Sequence, residues 1–420
     1  MLKRIFCVFI AMILVLLCAC SSAPKPLAAV AFPKGISLND YDARRELIEN
    51  YPIEEEFSKM LADFSVRTTV NLYGECDGNF NYSPVSLYLA MALCANGAEG
   101  ETKAQILSLL GANDEAYLAK QCEHFYRRNY TDNSIGKLKI ANSVWMNNGQ
   151  GDFSCKDEFL KTAAESFFAE IFSADFTKKK TAEQMSKWVQ KNTKGTIAPN
   201  INLGAEALMT IFNTVYFCDQ WTDRFDAAKT EPDIFSGDDV AFVIDFMNAE
   251  FSSHSFVRGE NFTRSGLGLK NSGSMIFVLP DEGVSISELM TDAQTLENVL
   301  FGGESKAGRV TFKIPKFSFS SVLELKAMLN SLGVADAFSW ENADFSAASD
   351  SEMCLSDVTQ QTHIALDEKG VVASSFTELM YAGAAMPEGS ADMCLDRPFI
   401  YAVLSSTNDV LFIGVFSCEK

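Results

Sequence analysis

Three side chains in this 420-residue chain could exchange protons at neutral pH, namely His124, His254 and His363. Imidazole is also the commonest metal ligand, yet none of the three has another histidine at metal-ligand spacing. The chain carries no HExxH, no GxSxG elbow, no GxxxxGK[ST] and no GxGxxG after a strand. The histidines therefore read as surface groups or hydrogen-bonded interior ones. Carboxylates are numerous, but none sits in an apolar frame that would tune it for acid–base work. The cysteines beyond residue 20 (Cys76, Cys94, Cys122, Cys155, Cys218, Cys354, Cys394 and Cys418) contain no CxxC pair. An exported chain could bridge some of them, but their spacing names no framework, and most read as small buried hydrophobes. The expectation is a protein that is not an enzyme and uses no metal or cofactor.

What stands out instead is a stretch that could be acted upon. Glu368 to Pro387 reads EKGVVASSFTELMYAGAAMP, with little charge and no proline before its last residue. A connector this long is uncommon in a compact domain, and a disordered one would be rich in charge and proline rather than in Val, Ala, Phe, Leu, Met and Tyr. The composition describes an exposed loop that can become a strand.

The elements that must position this loop are legible from periodicity. Glu54 to Leu72 places Phe57, Leu61 and Phe64 at helical spacing behind an acidic turn. Ser83 followed by Pro84 starts a second helix, with the serine as cap, and Gly97 ends it before a third helix from about Thr102 to Leu110. Leu138, Ile140, Val144 and Met146 alternate onto one face of a strand, and Ala207 to Phe217 reads as a strand buried on both faces. Further helices are expected over Asp157 to Phe172, Ala182 to Thr193 and Val322 to Leu332. Further strands are expected over residues 240–280, Gly308 to Phe319 and Thr362 to Asp367, with a hairpin from Phe399 to Phe416 turning at Thr407-Asn408-Asp409. Early helices followed by long strands make one α+β domain around mixed sheets, spanning residues 50–420. With 47% hydrophobic residues and 33 Phe, the chain can bury a large core.

Residues 1–19 read as a signal peptide: Lys3 and Arg4, then an apolar run too short for a comfortable membrane span. Leu17-Cys18-Ala19-Cys20 resembles the bacterial lipobox, which implies cleavage before Cys20 and lipidation of that residue. Residues 20–49 are then expected as a flexible tether, with the domain exported and membrane-anchored, at the cell surface or facing the periplasm. The whole chain has 35 basic and 55 acidic side chains; loss of Lys3 and Arg4 leaves 33 basic ones and a net charge of −22. So acidic a surface argues against nucleic-acid partners.

Several motifs recur in one order along the chain. They are Asn81-Tyr82-Ser83-Pro84 with Ser86, then Gly97-Ala98 with Gly100 and Thr102; IANSVW (Ile140 to Trp145); Trp188 to Ile197; Asn213 with Phe217, Trp221 and Phe225; and IPKF (Ile314 to Phe317). Asp367-Glu368-Lys369-Gly370 and Asp396-Arg397-Pro398-Phe399 bracket the loop. In this set the chain resembles the serpins across residues 50–420. The resemblance implies about nine helices around three β-sheets with an exposed reactive-centre loop, and a monomer that inhibits extracellular serine or cysteine proteases. The target cleaves the loop, is held as an acyl-enzyme, and is dragged away as the loop enters the central sheet.

Carried over residue by residue, the resemblance makes Glu368, Gly370, Val371, Val372 and Ala373 the hinge and Ala384–Ala385 the reactive bond. Tyr381, Ala382 and Met386 remain as further cleavage positions. Ala384 implies an elastase-like or subtilisin-like partner with a small specificity pocket. Ser83, Ser86, Asn213 and Gln360 match the polar shutter under the sheet, with Gln360 where the family usually has histidine, and Trp221 matches the breach at its top. The hinge departs from the usual Gly-Thr-x-Ala-Ala-Ala pattern through Val371, Val372 and Phe376, which leaves a non-inhibitory, merely cleavable serpin as the alternative.

Overall fold

The computed structural model describes residues 25–76, 78–149, 154–203, 207–238, 240–271, 273–371 and 389–418. Cys20, Val372, Ala373, Ala384 and Ala385 lie outside them. The described residues form ten α-helices and two hydrogen-bonded sheets.

The seven-stranded sheet carries the site. Its order is Ser318–Glu324, Leu355–Asp367, Gly370–Val371, Met209–Gln220, Lys137–Asn147 and Thr131–Asp132, with Glu170–Ala174 also on Lys137–Asn147. The Met209–Gln220 and Lys137–Asn147 strands are antiparallel and nearly all buried. Their alternation splits the core in two. Leu138, Ile140, Val144 and Met146 join the main core, while Ala141, Trp145 and Phe212 face the other way, onto Met185, Trp188 and Val189 of the Lys179–Asn192 helix. This is the period of two in a sheet covered on both faces.

The nine-stranded sheet runs from Phe80–Tyr82 through the C-terminal hairpin and on to Ser390–Cys394. The expected second and third sheets are continuous in it. The 18-residue strand Ala241–Arg258 pairs with Glu231–Ser236 at its start, with Ser305–Pro315 along its length and with Phe262–Gly268 at its end. The hairpin turns where expected, with Asn408 in the left-handed region at φ 64°.

The Pro84–Gly97 helix is wedged between the sheets and is buried apart from Asn96. Pro84 opens it as expected, but the Ser83 hydroxyl makes no capping bond; it donates to Leu411 O at 2.7 Å. The Glu55–Tyr73 helix buries Phe57, Leu61 and Phe64 against it, with Phe57 and Phe64 edge-on to Tyr88.

Three expectations are corrected. The helix from Asp157 stops at Glu165, Phe168 takes φ 50°, and Glu170–Ala174 pairs in parallel with Lys137–Asn147. Ile171 and Phe172 there bury on opposite faces, a strand's pattern rather than a helix's. The Gly308–Phe319 stretch is not one strand: Ser305–Pro315 and Ser318–Glu324 lie in different sheets, and only Lys326–Ser331 of the following segment is helical. Pro315 lacks the N–H that would extend the first strand's ladder.

From residue 25, finally, the stretch expected as a free tether lies along the domain. Leu27 N donates to Ile171 O at 2.7 Å, and Phe32 stacks on Phe168 and lies under the Lys139 ammonium. Asn133 Nδ2 donates to Ile36 O, and Tyr41–Asn50 is a helix capped by Asp40. No helix of the described residues is long and apolar enough to cross a membrane.

Candidate functional site

Two strands of the central sheet, Met209–Gln220 and Leu355–Asp367, run parallel side by side. From Leu355 opposite Met209 up to Gln361 opposite Thr214 they are paired. Above that they part, and a cavity of 580 Å³ opens beside Tyr216, Cys218, Ala365 and Asp367.

At the top of the gap sits the start of the loop. Gly370 and Val371 pair antiparallel with both neighbours at once, Val371 facing Leu366 on one side and Asp219 on the other. Val371 is 1% exposed. Only glycine fits before it: a Cβ on Gly370 would stand 2.2 Å from Asp219 O and 2.6 Å from Gln220 Cα. The hinge is thus the first rung of a strand with room to continue.

The register favours continuation. Leu366 and Asp219, which flank Val371, stand 147 positions apart in the chain, and so do Gln360 and Asn213, which face each other directly below. A strand prolonging Val371 therefore meets matching partners on both sides without any lengthwise shift of either strand.

Glu368 and Trp221 hold the turn that leads into the hinge. Trp221 is fully buried, its indole N–H donating to Asp367 O at 3.0 Å and its backbone N–H to Lys369 O at 3.0 Å. Glu368 accepts from Thr230 Oγ1 at 2.8 Å and from Lys316 Nζ at 3.0 Å. Burial pushes its carboxyl up, but its own backbone N–H, Lys316 and Thr230 outweigh that and leave it below the usual range.

About 20 Å lower, at 3.3 Å per residue, lies a buried polar cluster. Gln360 Oε1 accepts from Ser83 N at 2.8 Å, and its Nε2 donates to Ser83 O at 2.9 Å and Asn213 Oδ1 at 2.8 Å. Asn213 Nδ2 donates in turn to Ser86 O at 2.9 Å and to Asn142 Oδ1. Ser83, Ser86, Asn213 and Gln360 are all 0% exposed, so this cluster ties the helix start at Pro84 to both strands of the seam away from bulk solvent. Ser86 takes part through its carbonyl rather than its hydroxyl.

Sequence reasoning missed Asn142, which stands inside the IANSVW motif. It also missed Thr362, whose hydroxyl donates to Asn81 O at 2.9 Å, and Ser321, which accepts from Asn81 N at 3.1 Å. Asn142 and Thr362 stand on expected strands, but Ser321 falls between an expected strand and an expected helix, and no residue-level signal marked any of the three.

The histidines lie on three different elements, with His363 on the seam strand beside Thr362. His124 Nδ1 meets Pro52 O at 2.6 Å, His254 Nε2 meets Gly266 O at 2.8 Å, and His363 Nδ1 meets Ser320 Oγ at 2.9 Å. Burial pushes the thiols of Cys94 and Cys155 up to about 12, far from the thiolate a nucleophile needs. Cys94, Cys122, Cys155, Cys218, Cys354 and Cys394 are in no disulfide among the described residues.

The family model described as Serpin (serine protease inhibitor) matches residues 59–418. The chain belongs to the serpin family. Serpin B6 of Macaca fascicularis is 29% identical over 370 residues, covering 81% of this chain and 93% of that protein. The crystal structure of a thermophilic serpin, tengpin, in the native state superposes with a TM-score of 0.78 at 28% identity, covering 94% of this chain and 99% of that one. Tengpin in the latent state gives 0.73 at 29% identity, covering 88% of this chain and 99% of that one. The serpin fold expected from the motifs is thus present, and protease inhibition is the family's general activity.

Proposed function

We propose that this serpin traps extracellular serine or cysteine proteases as a suicide substrate, with Ala384–Ala385 as the bond attacked and an elastase-like or subtilisin-like enzyme as partner. The observation that carries the reading is the hinge: Gly370–Val371 already forms a rung between strands whose register accepts a continuing strand as far as residue 380. After cleavage the loop is free at its new end and can extend that rung. Each added residue exchanges a solvated backbone for two rows of sheet hydrogen bonds, each bond contributing about 0.5–1.5 kcal/mol net. Displacing the acylated protease by even an ångström or so disorders its triad and oxyanion hole, so the ester is not hydrolysed.

The register bears on the awkward hinge residues. Residue 376 would enter opposite Gln361 and Thr214, on the face shared with Ala141, Phe212 and Trp188, whereas residue 377 would meet Gln360 and Asn213. Phe376 then comes in beneath the Lys179–Asn192 helix, which must yield to admit it. That favours slower insertion, and with it the second reading of a serpin that is cleaved without trapping.

The experiment mixes the protein with pancreatic elastase or with subtilisin and resolves the products on a denaturing gel. Trapping gives a stable band at the summed mass; clean cleavage with full recovery of protease activity refutes it. We also place lipid on Cys20. Because the chain meets the body at Leu27, seven residues at about 3.5 Å each would hold that face within about 25 Å of the bilayer. Metabolic labelling with palmitate and its loss in Cys20→Ser test this.

A further inference from the structure

The Tyr41–Asn50 helix buries none of its residues, although it lies against the domain. Beneath it is a cavity of 230 Å³ between Arg44, Leu47 and Ile48 on its inner face and Arg128, Tyr130 and Asn271 on the body. At about 30 Å³ per water, that is the space of about eight waters, enough for a small ligand.

The two arginines there differ from the rest. Every other arginine among the described residues has a hydrogen-bond partner within 3.0 Å. The Arg128 guanidinium makes no hydrogen bond among the described residues, and Arg44 has only a 3.4 Å contact with Asn271 Oδ1 while its Nε is buried without a partner there. In a chain of net charge −20, carboxylates are the abundant partner for any arginine that can reach one. The pair instead faces a shared cavity. The acid bearing on Arg128 is Asp409, which is itself occupied by Ser405 and Thr407. Asp132 is held by Lys137, and Asp42 by Arg45. The rest of the wall joins the apolar Ile36, Leu47, Ile48 and Tyr130 to the polar Thr131, Asn133, Asn271 and Ser406.

We propose that this cavity is a binding site for a small amphipathic carboxylate, its anionic end between Arg44 and Arg128 and its apolar body against Leu47 and Ile48. A planar guanidinium offers paired N–H donors that match a carboxylate. A mostly apolar hollow with a few convergent polar groups is the usual form of a small-molecule site. The ligand would fasten the helix to the body, giving it the buried contacts it lacks. This proposal does not rest on protease trapping.

The test is titration calorimetry of the whole protein with 3-phenylpropionate, with 3-phenylpropanamide and inorganic phosphate as comparison probes. The expected result is saturable binding of 3-phenylpropionate, at least tenfold weaker binding of both comparison probes, and at least tenfold loss in Arg128→Gln and in Arg44→Gln. Leu47→Phe fills the hollow and leaves both guanidinium groups in place, so it should abolish binding even if an arginine variant folds poorly. Absence of saturable binding by 3-phenylpropionate at 5 mM, on the order of the weakest affinity worth calling a site, overturns the proposal. So does binding that survives both arginine substitutions. Equal binding of phosphate overturns the amphipathic class.

Discussion

Gln360 is the residue whose removal tests the clasp under the sheet most directly. Its amide serves three buried partners, Ser83 N, Ser83 O and Asn213 Oδ1, all at 2.8–2.9 Å. Gln360→Ala orphans Ser83 N and Asn213 Oδ1, while Ser83 O keeps the bond it accepts from Leu87 N at 3.3 Å. An orphaned buried group costs about 1–3 kcal/mol, so the expected loss is about 2–6 kcal/mol. The unfolding entropy of about 2.1 cal/mol/K per residue converts that into a fall of about 3–8 °C in the melting temperature. Gln360→His offers one ring donor and one acceptor, enough for two of the three partners, and should lose about half as much. Because Gln360 and Asn213 face each other across the seam, the alanine variant should also convert faster on warming to a form with the loop inserted and uncleaved. Calorimetry at one fixed scan rate reads the first effect, and resistance to added elastase after incubation reads the second. A Gln360→Ala melting point within 2 °C of wild type, on the order of a single kcal/mol, would refute the reasoning, as would a histidine variant weaker than the alanine one.

Gly370→Ala should drive the hinge out of the sheet, since its Cβ would stand 2.2 Å from Asp219 O; hydrogen exchange should show at least about tenfold loss of protection at Val371, the free-energy equivalent of about 1.4 kcal/mol. Lys139 is depressed to about 8 by burial, with Lys191, Lys137 and Lys194 adding to that and Glu170 opposing it. Its folded value lies below the unfolded one near 10.4, so the neutral form is favoured by folding, and stability should rise with pH from about 8 toward 10.4. Lys139→Met should flatten that rise in melting experiments, and an unchanged slope counts against the assignment. Phe32→Ala removes the stack on Phe168 and the face under Lys139, with an expected loss of about 1–3 kcal/mol measured by urea unfolding. Trp221→Phe deletes the bond to Asp367 O and should cost about 1–3 kcal/mol, with faster proteolysis around Lys369 as the local readout.

Much of the fold was legible because its strands and helices obey their own periods. Leu138, Ile140, Val144 and Met146 lie on one face as expected, and Pro84 and Gly97 bound their helix. What failed was decided by distant partners. Glu170–Ala174 is a strand because Lys137–Asn147 offers it an edge, and no residue within it announces that. The N-terminal segment reads as a tether despite its short apolar run Leu27 to Phe32, yet Leu27, Phe32 and Ile36 all contact the body, Phe32 through both Phe168 and Lys139. In the buried cluster, side-chain type pointed to the right residues but not always to the right atoms. Ser83 contributes its backbone to Gln360 and its hydroxyl to Leu411, and Ser86 contributes a carbonyl, so neither role follows from being serine.

The matched register also limits how far the loop can enter without distortion. From Asp357 opposite Thr210 up to Gln361 opposite Thr214 the two seam strands keep one offset, but at Leu355 opposite Met209 it changes by one residue. A strand continuing Val371 therefore finds paired partners on both sides as far as residue 380 and must bulge or lose a partner below it. Nothing above that point need slide; the two strands need only separate sideways, which breaks their rungs between 209 and 214 and the bonds through Gln360. On the proposed mechanism those rungs would be replaced twofold by the entering strand, so the balance would favour entry, and the obstacle would be the order of events. The clasp must open before the new rungs below it can form. The barrier should then lie at the Gln360 layer, and a substitution there should change the rate of insertion more than its final stability. A variant that altered the melting point of the cleaved protein but left the insertion rate untouched would place the barrier elsewhere.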